Sequence, residues 1–302
     1  MIYDLIIIGA GPAGITAAIY AARKALKLMV ISKNIGGQVT KTSIVENYSG
    51  YQEITGEELI KKLEHHLHEF EFDLKETEVE SIRKTNRIFE IQTKTEMFQS
   101  KALIIATGAK PKYLDIEGEK EFKNKGVSYC TTCDGPLFRG KDVAVIGGGN
   151  SALESVLQLA NIANKVYLII RNKDIDGDRV LLDKILKYKN VEIFYNSTVK
   201  GIKGDTSVKS LAFEWEGKEK DINVQGIFVN IGFVPNSSLA GKIAALNSRG
   251  EIMIDPSGAT SMPGMFAAGD CTDIPYKQII IASGAGAIAA ISAFKYLTKF
   301  QG

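Results

Sequence analysis

Cysteine and histidine are scarce in this sequence of 302 residues, which contains three of each. Three cysteines cannot build a disulfide scaffold, and an odd number argues against a secreted protein. A zinc site needs about four ligands, whereas the histidines His65, His66 and His68 all lie on one predicted helix with a charged, exposed face. We therefore expect no metal site and no disulfide-stabilised fold.

Charge of one sign and long apolar runs are also missing. The 37 Lys and Arg residues nearly balance the 35 Asp and Glu residues, for a net charge of +2. This balance favours neither nucleic acid nor an acidic membrane as a partner, and no run approaches the ~20 apolar residues of a membrane span. The apolar start at Met1–Gly9 lacks the basic segment of a signal peptide. We expect a cytoplasmic protein of two domains.

A glycine-rich loop at Gly9–Gly14 follows the apolar, β-branched run Tyr3–Ile8, which is typical of a strand buried on both faces. In this GxGxxG pattern, Gly9 permits the tight turn, Gly11 lets the backbone approach a pyrophosphate, and Gly14 lets helix pack on strand. The Ala-rich helix predicted at Ile15–Leu26 presents free N–H groups to the phosphates. Strand, loop and helix together predict a dinucleotide site rather than an incidental turn.

A second loop of this kind, Gly147–Ala152, lies between a predicted strand at Asp142–Ile146 and a helix at Ser151–Ile162. Ala152 takes the place of the third glycine, which the pattern tolerates. A strand at Lys165–Ile170 completes a βαβ unit of about 30 residues. The sequence therefore predicts a second dinucleotide site.

Neither unit has the acidic residue that binds a ribose about twenty residues after the glycine loop. In the first unit, Ser32 or Asn34 is the candidate substitute. In the second unit, Arg171 and Lys173 stand at this place and suit a 2′-phosphate, as in NADP sites. The alternative is that these two cations merely end a strand at the surface.

Two of the cysteines, Cys130 and Cys133, form a CxxC pair shortly before the second glycine loop, with Asp134 beside them. Because no second CxxC or well-spaced Cys/His pair exists, a redox dithiol is favoured over half a zinc site. Asp134 can move a proton as thiol and thiolate interchange, or it can form the turn before Gly135. Cys271 has no partner in the sequence, and we expect a buried, inert thiol there.

An apolar strand that ends in glycine and is followed by proline occurs twice. Leu103–Gly108 precedes Pro111, and Gly226–Gly232 precedes Pro235. Together with the two glycine loops, this repeat predicts two similar nucleotide-binding units joined in one chain.

Four further segments have clear patterns. Gly56–Phe70 reads as an amphipathic helix, and residues 75–101 alternate as short antiparallel strands do. Met265–Asp270 is a strand that runs into a turn with a carboxylate. Ile279–Leu297 is an Ala-rich helix whose glycines suit close packing against a sheet or a cofactor.

These motifs together resemble the low-molecular-weight thioredoxin reductases, which are flavoproteins with two dinucleotide-binding domains. The C-terminal third is similar to the alkyl hydroperoxide reductase flavoprotein, notably at Pro275–Gly284 and at the Gly226–Gly232 strand. That relative carries an extra N-terminal thioredoxin-like region, for which this sequence has no room. The motifs in the thioredoxin reductase family's order are Gly9–Gly14, Gly36–Gln38, Glu46–Tyr48, Ala106–Gly108, Cys130–Gly135, Gly147–Ala152, Gly232–Pro235 and Ala267–Cys271.

The resemblance implies an α/β fold of two Rossmann-like dinucleotide-binding domains, each of three layers in the order ββα, with the second domain inserted into the first. Residues 1–111 and 243–302 would form the discontinuous FAD-binding domain. Residues 112–242 would form the pyridine-nucleotide-binding domain that carries the CxxC pair. Family members are homodimers, and they swing one domain against the other so that the flavin meets nicotinamide and dithiol in turn.

The resemblance also implies which residues bind the cofactors. The FAD pyrophosphate would lie on Gly9, Gly11, Pro12, Ala13 and Gly14, and the flavin would lie near Gln38, Asn47 and Gln278. Thr107 and Gly108 would line the adenine side, and Asp270 would lie at the ribityl chain. Gly36, Gly37 and Gly269 would also belong to the FAD site. For the pyridine nucleotide, the residues would be Gly147, Gly149, Asn150, Ser151, Arg171 and Lys173.

The electron donor is left open by the second unit. The family's 2′-phosphate signature is a histidine and two arginines, with a further arginine a few residues on. Here Ile170, Arg171 and Asn172 occupy the first three places, and Arg179 is an uncertain match for the last. The acid of the alkyl hydroperoxide reductase pattern is also absent. NADPH is the expected donor, with NADH or another donor as alternatives.

The function that the resemblance implies is that of a thioredoxin-disulfide reductase. Electrons would pass from a reduced nicotinamide through FAD to the Cys130–Cys133 disulfide and on to a thioredoxin or thioredoxin-like protein, with Cys133 facing the flavin. One alternative is a flavoprotein reductase that serves a peroxide-reducing system through a separate carrier. Two others are a ferredoxin–NADP-type reductase with an incidental CxxC and a non-catalytic redox sensor.

Overall fold

The structure, a computed structural model, describes residues 1–42, 45 and 47–300. Glu46, part of one motif named above, lies outside the described residues. The chain divides into two compact units. The first consists of Met1–Lys110 together with Val234–Gly302, and the second is Pro111–Phe233, so the second unit interrupts the sequence of the first.

The described helices and strands alternate in a way typical of α/β proteins. The first half of the chain contains β1 (Ile2–Ala10), α1 (Pro12–Ala22), β2 (Leu28–Ile35), α2 (Gly56–His68), β3 (Asp73–Glu76), β4 (Val79–Thr85), β5 (Ile88–Thr93), β6 (Met97–Ile105), β7 (Ala109–Pro111), β8 (Val127–Ser128) and α3 (Thr131–Asp134). The second half contains β9 (Asp142–Ile146), α4 (Asn150–Ala160), β10 (Lys165–Ile169), α5 (Arg179–Ile185), β11 (Val191–Phe194), β12 (Ser197–Gly204), β13 (Val208–Trp215), β14 (Lys218–Asn223), β15 (Gly226–Val229), β16 (Phe233–Pro235), β17 (Met265–Ala267) and α6 (Ile279–Phe300).

The main sheet of the first unit is parallel at its centre, in the order β3-β2-β1-β6. One edge of β6 serves two partners. Its first half pairs antiparallel with β5, where Phe89 lies opposite Ser100, and its last residues pair parallel with β17, where Met265 lies opposite Leu103. The apolar run of β1 fits this centre because a strand covered on both faces needs no polar side.

Both faces of this sheet are covered, which gives the unit three layers. Leu5 and Ile7 of β1 pack into a core shared with α1 and α6. Ile6 and Ile8 point to the other face and join a core with Phe89 of β5. Successive side chains of a strand alternate between faces, so a single apolar strand supports both layers.

The second unit repeats this architecture. Its parallel sheet has the order β11-β10-β9-β15-β8, and β12, β13 and β14 form an antiparallel sheet beside it. Val143 and Val145 of β9 pack with the helix layer, whereas Ala144 and Ile146 pack with Phe213 of the antiparallel sheet. The predicted fold class, two Rossmann-like units of three layers, is confirmed.

Helix α6 is long and apolar enough, by length and composition, to cross a membrane, unlike any other helix in the described part of the chain. The prediction that no run reaches the length of a membrane span was therefore wrong. This finding is weak support for a membrane span, since a core helix of a soluble protein passes the same test. Here Ala285, Ala289 and Ala293 of α6 are buried in the core with α1, and a Cβ at Gly286 would collide with the carbonyl oxygen of Ala13.

Candidate active site

The three glycines of the first loop have different surroundings. Gly9 has a φ of +104°, in the region that favours glycine, and a Cβ there would collide with the carbonyl oxygen of Ala106. A Cβ at Gly14 would collide with the carbonyl oxygen of Gly9. A Cβ at Gly11, in contrast, would meet nothing within 4 Å. The outer glycines let β1, α1 and β6 approach one another, and the middle one leaves open space at the helix N-terminus.

The second loop has the same design. Gly147 has a φ of +143°, and a Cβ there would collide with the carbonyl oxygen of Asn230. A Cβ at Gly149 would meet nothing within 4 Å, as at Gly11. Ala152 is fully buried at the third position and is accommodated there. Both loops therefore keep an open cradle at the place where a pyrophosphate approaches the backbone of a dinucleotide-binding loop.

The CxxC pair lies at the start of α3. Cys130 and Cys133 form a disulfide, with their Cα atoms 5.3 Å apart. Cys130 is the N-cap residue of this helix, and its Sγ accepts a hydrogen bond from the backbone N–H of Cys133 at 3.2 Å. Gln158 of α4 donates to the carbonyl oxygen of Thr131 at 3.3 Å, so this bond joins the CxxC turn to the helix that follows the second glycine loop.

Asp134 belongs to the hydrogen-bond network of the dithiol. The hydroxyl of Ser128 donates to Asp134 Oδ2 at 2.6 Å, and the same oxygen of Ser128 accepts from the backbone N–H of Cys130 at 3.1 Å. The carboxyl group makes no capping bond to the turn at Gly135. Burial raises the pKa of Asp134, and the hydrogen bond from Ser128 opposes that shift. A carboxyl group with a raised pKa beside a disulfide is suited to exchanging a proton with a sulfur atom.

Comparison with known proteins decides the family. Residues 3–287 match the family described as Pyridine nucleotide-disulphide oxidoreductase. The chain belongs to this family. Membership makes it an oxidoreductase and implies a flavin and a pyridine nucleotide as cofactors.

Individual relatives bear several names. An NADH dehydrogenase of Bacillus subtilis (strain 168) is 43% identical over 300 residues, and an alkyl hydroperoxide reductase subunit of Staphylococcus aureus (strain NCTC 8325) is 43% identical over 304 residues. Each match covers 98% of this chain and 59% of the relative, so the chain spans about three fifths of their length. The crystal structure of thioredoxin reductase from Streptococcus pyogenes MGAS5005 is 36% identical, with a TM-score of 0.93 and 99% of each chain covered. The resemblance predicted from the motifs is confirmed.

In this oxidoreductase, the end of β2 and the segment after it lie against the first glycine loop. Ser32, one of the two candidates for the missing acid, accepts from the backbone N–H of Ala10 at 3.1 Å. The N–H of Gly36 donates to the carbonyl oxygen of Ala10 at 2.7 Å, and a Cβ at Gly37 would lie 3.5 Å from Gly11. Gly36 and Gly37 therefore lie beside the open cradle at Gly11, and their contact with a cofactor stays a prediction.

The segment that follows β17 contains Gly269 and Asp270 and lies against the first glycine loop. A Cβ at Gly269 would lie 3.0 Å from the Cβ of Ala13. Burial raises the pKa of the adjacent Asp270, and the charge of Lys277 opposes this shift. The buried hydroxyl of Ser283 on α6 has no hydrogen-bond partner among the described residues. An open cradle, a desolvated carboxyl and an orphaned hydroxyl fit a dinucleotide with a polar chain between its two ends.

The other predicted flavin-site residues bond to one another or to nearby backbone of the first unit. Gln38 donates to the carbonyl oxygen of Ala109. Asn236 donates to the carbonyl oxygens of Thr107 and Gly108, each at 2.9 Å. These bonds hold Gln38, Thr107 and Gly108 in place. That these residues contact a cofactor stays a prediction.

Two further members of that set meet across a long sequence separation. The side-chain amide of Asn47 donates to Gln278 Oε1 at 3.1 Å. Because Gln278 directly precedes α6, this bond joins the 47–51 segment to the start of that helix. Their contact with a flavin ring stays a prediction.

The second glycine loop has acidic neighbours that sequence spacing did not reveal. The Asn150 amide donates to Asp178 Oδ2 at 3.0 Å, and its Oδ1 accepts from the backbone N–H of Asp178 at 2.7 Å. The carbonyl oxygen of Gly148 accepts from the N–H groups of Asp176 and Gly177 at 2.8 and 3.0 Å. These acids lie several residues beyond the end of β10, where the chain folds back onto the glycine loop.

The remaining predicted residues of this second site are less constrained. The carbonyl oxygen of Ser151 accepts from the hydroxyl of Ser155 at 2.7 Å within α4. Arg171 and Lys173 are exposed, and no ion pair is found for either among the described residues. Arg179, the uncertain match for the last arginine of the 2′-phosphate signature, begins α5, and its Nε lies 3.7 Å from Asp183 Oδ1.

The third cysteine and the histidines lie apart from these sites. Cys271 is fully buried, and burial raises the pKa of its thiol, as expected for an inert thiol. His65, His66 and His68 are exposed on α2. Among the residues that the structure describes, no group of three or more His, Cys, Asp or Glu side chains is placed to hold a metal ion.

Proposed function

We propose that this chain is an FAD-dependent thioredoxin-disulfide reductase, which takes electrons from a reduced nicotinamide cofactor and delivers them to a thioredoxin-like protein. The observation that carries the proposal is the disulfide of Cys130 and Cys133 bonded into one network with Ser128 and Asp134. This network lies in the unit that also carries the second glycine loop. An incidental CxxC would not need a desolvated carboxyl group beside it.

FAD and a nicotinamide cofactor are proposed for the two open cradles at Gly11 and Gly149. When bound, the flavin supplies the means of turning a two-electron hydride donor into a reductant of the Cys130–Cys133 disulfide. The chain holds phosphates with backbone N–H groups at the starts of α1 and α4. Asp270 and Ser283 are proposed to hold the polar chain of FAD.

The reduced pair exchanges its electrons with a protein disulfide by thiol–disulfide exchange. The N–H of Cys133 that points at Cys130 Sγ stabilises a thiolate there, so we assign the attack on the substrate disulfide to Cys130. One substrate sulfur leaves and takes a proton from Asp134. Cys133 then gives its proton to Asp134 and attacks Cys130 Sγ in the mixed disulfide. The second substrate sulfur leaves as a thiolate and takes that proton, and the Cys130–Cys133 bond is restored.

The partner and the setting follow from this proposal. The substrate is a small thioredoxin-like protein, because a dithiol of this kind must meet a disulfide on an accessible turn. We also propose that the protein acts as a homodimer in the cytoplasm, where reducing conditions keep such thiols in use. Both suggestions draw on the similarity to the thioredoxin reductase from Streptococcus pyogenes MGAS5005.

Replacement of one sulfur tests the proposal. Cys133→Ser should abolish the reduction of thioredoxin by the flavin-loaded protein, while NADH or NADPH still bleaches the flavin absorbance under anaerobic conditions. Cys271→Ser is the matched control, since this buried thiol lies outside the network and its loss should preserve turnover. Thioredoxin reduction by the Cys133→Ser protein at the wild-type rate would show the mechanism to be wrong.

A second candidate is the flavoprotein reductase of a peroxide-reducing system. It is favoured by the 43% identity to the alkyl hydroperoxide reductase protein of Staphylococcus aureus. The same dithiol would then reduce a separate thioredoxin-like carrier that serves a peroxidase. Activity with a peroxidase-linked carrier and none with thioredoxin would select this candidate.

A further inference from the structure

The loop after β10 is fastened to the second glycine loop by four hydrogen bonds. Two run from the N–H groups of Asp176 and Gly177 to the carbonyl oxygen of Gly148, and two join Asn150 with Asp178. A Cβ at Gly177 would lie 2.8 Å from Asn150 Oδ1, so the two loops are in close contact. The acidic loop therefore has a fixed place beside the nucleotide cradle.

The end of β10 cannot itself recognise a ribose. Ile170 follows the strand, is buried, and its Cγ2 would lie 3.1 Å from a Cβ at Gly148. Its side chain offers no hydrogen-bonding group. The nearest polar side chain on this side of Gly148 is that of Asp176, whose Oδ2 would lie 3.7 Å from the same Cβ. Asp176 therefore places a carboxylate beside the second glycine loop, and in dinucleotide folds an acid that follows the second strand commonly binds the ribose hydroxyls.

The carboxylate of Asp176 is oriented, whereas the neighbouring cations are not. Asn172 donates its side-chain amide to Asp176 Oδ2 at 3.1 Å. Carboxylate oxygens have several lone pairs, so this bond leaves capacity for two ribose hydroxyls. Arg171 and Lys173 are exposed, and neither bonds to the glycine loop in the described part of the chain. Asp176 is exposed like these cations, but its backbone N–H is bonded to Gly148, so a phosphate bound beside that glycine would lie close to the negative charge of Asp176.

We propose that Asp176 decides which pyridine nucleotide this chain accepts: its carboxylate binds the hydroxyls of the adenosine ribose and repels a 2′-phosphate, so that NADH binds in preference to NADPH. The inference rests on the proposed function, in which a nicotinamide donor binds at the second glycine loop. It assigns the missing acid to a residue six positions beyond Ile170.

The test measures binding rather than turnover. ADP-ribose and its 2′-phosphate derivative lack nicotinamide and cannot react with a flavin, so calorimetry on the flavin-loaded protein reports their affinities alone. We expect ADP-ribose to bind at least about tenfold more tightly than its 2′-phosphate derivative, because the 2′-phosphate and the Asp176 carboxylate are both negative and repel each other. Asp176→Asn should reduce that ratio about tenfold. Asp174→Asn is the matched control, because Asp174 is an exposed acid of the same loop that only bonds the next N–H.

Three outcomes would overturn the inference. The 2′-phosphate derivative binds as tightly as ADP-ribose or more tightly; Asp176→Asn and Asp174→Asn change the ratio equally; or neither compound binds. A parallel experiment separates this failure from that of the proposed function. Protein whose flavin has been reduced by light should still reduce thioredoxin through Cys130 and Cys133, whichever nucleotide binds.

Discussion

At the scale of single residues, glycines with the same spacing serve two purposes. Gly9 and Gly147 permit close packing of the polypeptide backbone, whereas Gly11 and Gly149 leave a space free. Gly9 and Gly147 are therefore needed for folding, whereas we propose that Gly11 and Gly149 are needed for cofactor binding. Substitutions at the two kinds of position should therefore separate stability from cofactor affinity.

A matched pair in the second loop tests this division. Gly147→Ala should lower the free energy of unfolding by about 1–3 kcal/mol or more, because alanine is strained at this φ and its methyl group would collide with Asn230. Gly149→Ala should change it by less than about 0.5 kcal/mol, yet weaken pyridine nucleotide binding about tenfold or more. Chemical denaturation and calorimetry measure the two effects. Equal stability of the two variants would contradict the assignment.

Asp134 should be costly for stability and useful for catalysis. Its pKa is raised in the folded protein, so its contribution to stability is full below the unfolded pKa of about 3.9 and is lost as the pH rises through the folded pKa. Asp134→Asn should therefore be more stable than the wild type at pH 7, with a difference that shrinks toward pH 4. The same change should slow thioredoxin reduction about 100-fold or more. Urea unfolding across this pH range, beside rate measurements, checks both.

At the scale of elements, a buried carboxylate holds the segment that leads to the dithiol. Glu119 is fully buried and accepts from the N–H groups of Leu114 and Asp115 at 2.9 and 2.7 Å. It also accepts from the hydroxyl of Tyr129 at 2.9 Å, and Tyr129 directly precedes Cys130. Burial is the main cause of the raised pKa of Tyr129, and the hydrogen bond to Glu119 raises it further. The carboxylate thus organises the approach to β8 and α3.

Glu119→Gln should lower the free energy of unfolding by about 1–3 kcal/mol, because the amide cannot satisfy all three donors. Glu121→Gln, two residues away and exposed, is the control and should change it by less than about 0.5 kcal/mol. Thermal or urea unfolding provides the measurement. If Glu119→Gln lowers the free energy of unfolding no more than Glu121→Gln does, the Glu119 carboxylate does not hold this segment in place.

Elements with strong local patterns could be predicted, and those set by distant contacts could not. The strand at Asp142–Ile146 was predicted with its observed bounds, whereas α1 begins at Pro12 rather than Ile15, because proline suits the first helical position. Lys75 and Glu76 were predicted among antiparallel strands, but they lie in β3, which is parallel to β2. Alternation shows that a strand has two faces and says nothing of its partner's direction.

The candidate site shows the same limit. The glycine loops and the CxxC pair are local motifs, so sequence revealed them. The bond from Ser128 to Asp134 and the return of Asp176 to Gly148 depend on how loops fold back, which spacing does not encode. The sequence pattern therefore shows that the usual acid is absent after β10, and the nearness of Asp176 to Gly148 became visible only in the structure.

At the scale of the whole molecule, one architecture is used twice, and only one copy carries the dithiol. Each unit has a parallel sheet, a helix layer and antiparallel strands, with an open glycine cradle at the start of the first helix. This duplication suits a protein that binds two dinucleotides. The dithiol between β8 and β9 makes the second unit the proposed exit for electrons.

The most direct test of that exit follows a single turnover in the flavin-loaded protein. The flavin is reduced by light without oxygen or nucleotide, one equivalent of oxidised thioredoxin is added, and free thiols are alkylated and counted by mass spectrometry. The account predicts that thioredoxin gains two thiols while Cys130 and Cys133 return to the disulfide, and that Cys130→Ser protein transfers none. Reduction of thioredoxin at the wild-type rate by protein with both cysteines replaced by serine would contradict it.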